Sequence, residues 1–344
     1  MEPIKQYYPN LDIVKWICAL FVIAIHISPL DRIPNALAFW VDPVLIRLAV
    51  PLFFAMSGMG LFEKFEYENG RISSCKHNQL RLRQYLLNIV RIYIGWSFVY
   101  FVYSLPGWYK TGWWGWTLVK DYLSAFFFHG SYYHLWYLVV LIYAVPMLYA
   151  VLHFIPKNRL LFLMIPLWIV ECLLTSYSWL GIDKFPAISS LLNVIPCPVH
   201  AIFRGMPLLA VGFVAEDYSR NLTARTNGIL AVIFGLLYIA ETTALFFNPS
   251  HSPGGTYLFS TPIFLFFLLR FLQLSRQICS EKTGKVLRYG STMIYCIHPL
   301  IIHICQAFVS VAQQAQWALV TVVSALIGLG YGFYKWNHIS QLKK

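Results

Sequence analysis

Apolar residues gather along this chain in long stretches separated by short polar connectors. Windows of about 19 residues pick out ten of them, near 11–30, 41–62, 85–105, 135–155, 160–180, 199–215, 228–247, 257–273, 291–311 and 316–334. A helix needs about 20 mostly apolar residues to cross a bilayer, so the pattern predicts an all-α integral membrane protein of about ten transmembrane helices. The first stretch, LDIVKWICALFVIAIHISPL, runs from Leu11 to Leu30 and is followed by Asp31 and Arg32. That is too long for a secretory signal core and lacks a small-residue cleavage site, so it reads as an uncleaved span. No internal repeat and no separate soluble stretch interrupts residues 1–344, which read as a single polytopic domain.

Composition agrees with the pattern. Of the residues, 58% are hydrophobic and 12% charged, with a mean hydropathy of +0.61, whereas soluble domains carry about 25% charge. A net charge of +12 raises the question of nucleic acid, but the basic residues sit in connectors at every second boundary. One set of connectors holds Lys5, Lys64, Arg71, Lys76, Arg81, Arg83, Lys157, Arg159, Arg220, Arg225, Arg276, Lys282, Lys285, Arg288, Lys335, Lys343 and Lys344; the other holds Arg32, Lys110, Lys120 and Lys184. Seventeen against four is a positive-inside signal that predicts both termini in the cytoplasm, and a bilayer rather than nucleic acid as partner. Seven cysteines form no CxxC pair and no ligand spacing, so no metal is expected.

Two outer connectors are unusual. Trp108 to Trp116 is an aromatic run suited to headgroup level, followed by a stretch at 117–128 too short to span. Gly181 to Pro198 is broken by prolines and is expected to be non-helical, either an interfacial loop or the wall of a pocket.

Ionisable groups within spans cost roughly 2.5–3.5 kcal/mol each on insertion scales and usually face a bundle interior or a wet cavity. Lys15 and His26 share the first span, and eleven residues at 100° bring them to one helix face about 16 Å apart along the axis. The imidazole suits a general base. Lys15, Arg91 and Arg270 lie near inner ends, where snorkelling accounts for them equally well. Arg47 precedes Pro51 in mid-span; it either satisfies the carbonyl that the proline frees or faces a cavity. Arg204, in HAIFRGMPLLAVGF, poses the same question. His298 is a second histidine within a span, and His129 and His134 flank GSYY. Asp12 stands three residues before Lys15 and can pair with it, while Glu171 or Glu241 can orient a histidine or relay a proton. GxSxG, Walker A, HExxH and dinucleotide motifs are missing from the sequence, which argues against serine hydrolase, P-loop and zincin chemistry.

At LDIVKWICALFVIAIH (11–26), RLAVPLFFAMSG (47–58), YYHLWYLVVLIY (132–143), RGMPLLAVGF (204–213) and STMIYCIHPL (291–300) the chain resembles the membrane-bound acyltransferase family 3, with the motifs in the family's order through nearly the whole length. The resemblance implies transfer of an acyl group, most often acetyl from cytoplasmic acetyl-CoA, to a hydroxyl of an extracytoplasmic or lipid-linked glycan at the bacterial cytoplasmic (inner) membrane. It assigns His26 the catalytic role, as base or transient acyl carrier, and Lys15 a basic role near the donor. With it, Arg47 is expected to stabilise the oxyanion. Arg81, Arg83 and Arg91 are expected to hold the phosphates of CoA. His134, Trp136, Arg204 and His298 are expected to meet the acceptor. The chain departs from the family in two places: Asn88 stands where the first arginine of an Arg-x-x-Arg element is expected, and no glutamate follows Trp136 in HLWYLVVLIY. That places it in a branch with O-acetyltransferases of the enterobacterial common antigen type and the membrane part of serine racemases linked to vancomycin resistance. The latter leaves open a transporter of a small polar substrate such as an amino acid, although no repeated halves of the kind many transporters have are visible.

Overall fold

A computed structural model describes residues 7–30, 40–181, 185–248, 257–309 and 311–341. Of the sequence readings, the loop charges Lys5, Arg32, Lys184, Lys343 and Lys344 lie outside them, as does part of the 181–198 stretch.

The described residues are mostly helical, and each of the ten apolar windows falls on a helix. They are α1 (Pro9–Ile27), α2 (Ala49–Phe62), α3 (Lys76–Thr111), α5 (Trp136–Phe154), α6 (Leu160–Leu174), α8 (Pro196–Tyr218), α9 (Ala224–Phe246), α10 (Thr261–Leu274), α11 (Glu281–Phe308) and α12 (Gln313–Gln341), with the short α4 (Trp116–Ser124) and α7 (Pro186–Val194) between them. Among the described residues seven of these are long and apolar enough to cross a membrane: α1, α3, α5, α8, α9, α11 and α12. The chain is an all-α integral membrane protein.

Among the described residues the strands form a single hairpin, Tyr67–Glu68 paired with Arg71–Ile72. Its turn is Asn69-Gly70, both at positive φ (50° and 77°), the tight-turn geometry that Asn-Gly favours.

Two windows and one connector differ from the simple pattern. With 36 residues, α3 is about 54 Å long, well beyond the roughly 30 Å hydrocarbon core, so its basic first turns extend past any span. The window at 199–215 is a helix with a π-helical turn at Ala201–Gly205 in its middle. The proline-broken stretch before it is not the irregular backbone that the sequence suggested: Pro186 and Pro196 each occupy the first turn of a helix, where a missing N–H costs nothing.

The chain folds as two compact units interleaved along the sequence, one of residues 1–56, 218–244 and 263–344, the other of 57–217 and 245–262. In the first unit, α1, α11 and α12 pack on one another around Ala19, Ile23, Ile294, Ile302 and Val320. Small residues allow the α11–α12 approach: a Cβ on Gly290 would stand 2.7 Å from the carbonyl oxygen of Gly328. Between membrane helices such close contact replaces the hydrophobic driving force of water. In the second unit α5 packs against α3 and α8, and α6 packs against α8; α5 buries Leu138, Val140, Ala144 and Leu148.

Candidate active site and a buried ion-pair cluster

In the first unit, α1 ends at Ile27 because Ser28 turns into the left-handed conformation (φ 49°). His26 therefore sits in the last turn of α1. Its ring stacks on that of His298 from α11, with centroids 5.2 Å apart and planes 20° from parallel. His298 is fully buried. Its Nδ1 lies 3.1 Å from the carbonyl of Ile294 and 2.9 Å from that of Tyr295. Both partners are acceptors, so Nδ1 carries the proton and donates, and Nε2 holds the lone pair. His26 also lines a cavity of about 350 Å³ together with Ile27, Gln306, Val311, Ala312, Gln313 and Gln316. A histidine at a polar cavity, backed by a second ring in a fixed tautomer, is an arrangement able to exchange protons with a bound hydroxyl.

Lys15 lies partly buried on the same helix, nearer its N-terminus. Asp12, expected beside it, is held from across the fold. Arg288 donates from Nε and a terminal nitrogen to the two carboxylate oxygens at 2.8 and 2.9 Å, and the Tyr7 hydroxyl donates to the second oxygen. Burial, reinforced by that bond to Asp12, pushes the Tyr7 phenol far above its usual range. Asn10 extends the clamp. Its amide donates to the carbonyl of Arg276 at 3.1 Å, and its oxygen accepts from the backbone of Ile278 at 2.9 Å.

Arg47 occupies a 3₁₀ turn, Ile46–Leu48, that follows a π-helical turn at Trp40–Leu45. It lies within electrostatic reach of the buried Tyr238, which Glu241 also faces. Arg270 does not snorkel: it is buried and donates to Gln273 at 3.1 Å.

The second unit gathers Trp136 and Arg204 and adds residues the sequence reading passed over or left unplaced. The Arg204 guanidinium donates from Nε and Nη2 to one oxygen of Glu171, at 2.8 and 2.5 Å. The other oxygen lies 3.1 Å from Nδ1 of His200. Two rings cover the cation, Tyr257 with its centroid 3.9 Å from Cζ and Trp136 at 5.1 Å. Gly205, next in sequence, brings α8 against α5: a Cβ there would stand 2.7 Å from that of Ala144. His200 and Arg204 are four residues apart, a spacing legible in the sequence. Glu171 is 33 residues away from Arg204 and Tyr257 further still, and only packing unites them.

His134 is buried in a cage of Tyr100, Tyr132 and Tyr133, with ring centroids 5.0, 5.8 and 5.6 Å away. Arg81, Arg83 and Arg91 all lie on α3, with Arg83 and Arg91 exposed. Arg81 and Arg83 are two residues apart, about 200° around the axis, so the three do not present one face. Arg81 instead meets His77 one turn earlier, 3.4 Å away. Among the described residues no group of three or more His, Cys, Asp or Glu side chains is placed to hold a metal ion.

Comparison with known proteins fits these motifs. The chain is 27% identical to an amino-acid racemase of Enterococcus faecalis over 94% of its own length and 46% of that protein's. It is 25% identical to a serine/alanine racemase of Enterococcus gallinarum over 96% of its own length and 46% of the relative's. It thus spans less than half of each. No solved structure matches it. The sequence matches the acyltransferase domain family across residues 8–334, nearly its full length, and the chain belongs to that family.

Proposed function

We propose that this protein is a membrane-embedded O-acetyltransferase that moves acetyl from cytoplasmic acetyl-CoA to a hydroxyl of an extracytoplasmic or lipid-linked glycan. The observation that carries the reading is His26, which lines a polar cavity and stacks on a histidine of fixed tautomer. In the proposed reaction His26 accepts the proton of the acceptor hydroxyl as that oxygen attacks the thioester carbonyl. The tetrahedral intermediate collapses, the C–S bond breaks, and the imidazolium returns its proton to the departing CoA thiolate. Arg47 stabilises the oxyanion and Lys15 draws the anionic donor toward α1. Arg83 and Arg91, exposed on α3, meet the CoA phosphates, with Arg81 supporting the same helix end. In the second unit Arg204, neutralised by Glu171, holds Trp136 in place. The lysine and arginine distribution supports cytoplasmic termini, and the bacterial sources of the relatives support a bacterial cytoplasmic (inner) membrane.

The test is acetyl transfer in membranes supplied with labelled acetyl-CoA and a glycan acceptor. His26→Ala is expected to lower kcat by at least about 10²-fold with the protein still inserted. Unchanged turnover would overturn the assignment of His26.

A second reading is supported by the names of the relatives, which are racemases of amino acids. In that reading the same polar helix faces carry an amino acid across the bilayer. Counterflow of serine into vesicles without CoA would favour it over acetyl transfer.

A further inference from the structure

Three glutamines line the cavity of about 350 Å³ together with His26. Gln306 comes from the last turn of α11, and Gln313 and Gln316 from the first turn of α12. Gln313 is anchored: its amide nitrogen donates to the carbonyl of Ile27 at 2.5 Å, the residue after His26. That bond takes one of the two N–H groups and fixes the amide, leaving its second N–H as a donor and its oxygen as an acceptor. Gln316 is different. Its amide nitrogen is buried and has no hydrogen-bond partner among the described residues. A buried, unsatisfied N–H costs about 1–3 kcal/mol, and the cost is recovered when a ligand oxygen accepts from it. The remaining lining residues, Ile27, Val311 and Ala312, are apolar, and among the described residues the lining holds no Asp, Glu, Lys or Arg.

We infer that Gln306, Gln313 and Gln316 form the acceptor subsite of this cavity and select a neutral polyhydroxyl group, such as an uncharged sugar ring, over an anionic or zwitterionic molecule. The inference rests on the acetyl-transfer reading for its role in turnover, but not for binding. Amides both donate and accept, which matches hydroxyls that do the same. A carboxylate or ammonium ion would enter without a counter-charge and lose its hydration unpaired. The volume lies at the lower end of the range for small-molecule pockets, which suits one ring rather than an extended chain. The nearest hydroxyl of such a ring lies beside His26, the base.

Binding is measured first, without acetyl-CoA, on the full chain in detergent micelles. Methyl glucoside is the neutral probe, glucuronate its anionic counterpart and serine a zwitterion. Methyl glucoside is expected to raise Tm in a saturable way, and the two charged probes to leave it unchanged. Gln316→Leu is expected to weaken the glucoside response at least about tenfold, as for one hydrogen bond lost to a buried donor, and Gln313→Glu to weaken it further. His26→Phe, which keeps a ring against His298, is expected to retain binding while losing transfer. Tighter binding of serine or glucuronate, or an unaltered glucoside response in both glutamine variants, would overturn the inference. If methyl glucoside binds as described and acetyl-CoA is never turned over, the subsite stands and the acetyl-transfer reading fails. If turnover of acetyl-CoA is found with no dependence of acceptor KM on Gln316, the reverse holds.

Discussion

His26 and His298 meet from opposite parts of the chain and stack, and backbone geometry sets the tautomer of His298. The carbonyls of Ile294 and Tyr295 fix the proton on Nδ1 of His298. Replacing His298 by Phe keeps a flat ring beside His26 but removes the polar edge, whereas Asn keeps polarity and loses the ring. If stacking orients His26, the Phe variant is expected to retain activity within about tenfold and the Asn variant to lose at least about 10²-fold in kcat, since a misplaced base costs that much. At Glu171 the question is stability. Its carboxylate is fully buried between Arg204 and His200, so Glu171→Gln leaves a buried guanidinium uncompensated. A loss of about 3–5 kcal/mol is expected, read as a lower Tm in detergent, and Glu171→Leu combined with Arg204→Met is expected to recover much of it.

At the scale of elements, the α11–α12 contact depends on small residues rather than on large apolar ones. Gly290 faces the backbone of Gly328 and the ring of Trp16, so a larger side chain must push the helices apart. Gly328→Val is expected to cost at least about 1–3 kcal/mol, as overpacking does. Gly330, two residues on and with no atom near a would-be Cβ, supplies the control: Gly330→Ala is expected to be neutral or to stabilise by up to about 1 kcal/mol. Thermal unfolding of the two variants checks the pair. The cavity at His26 lies at the end of this same helix pair, so a wedge at Gly328 is also expected to raise the KM of the acceptor.

For the whole molecule, orientation can be read through its thiols. All seven cysteines are free; five are buried and only Cys75 and Cys279 are partly accessible. Both lie in connectors that the positive-inside pattern assigns to the cytoplasm, so an impermeant maleimide is expected to label them in inside-out vesicles and not in intact cells. Burial, with the nearby charge of Asp12, pushes the Cys279 thiol above its usual range. Its thiolate fraction is therefore small at neutral pH, and its labelling rate is expected to rise about tenfold per pH unit until that raised pKa is reached. Labelling from outside would reverse the topology.

The sequence by itself determined the class of the fold and the helices that compose it, because about 20 apolar residues in a row have no other stable arrangement in a bilayer. It also marked Lys15, His26, Arg47 and Arg204 as costly polar groups, since a charge in an apolar run stands out locally. What it did not determine is the partner each group finds. Asp12 lies three residues from Lys15 yet is clamped by Arg288, 276 residues away. Glu171 serves His200 and Arg204, and His26 rests on His298. The glutamines around His26 carried no signal at all, because a neutral amide at the end of a helix is unremarkable until packing gathers it with others beside an imidazole. Apolar periodicity is written along the chain and acts locally, whereas buried polar groups are satisfied in three dimensions, so only the tertiary structure decided what surrounds each of them.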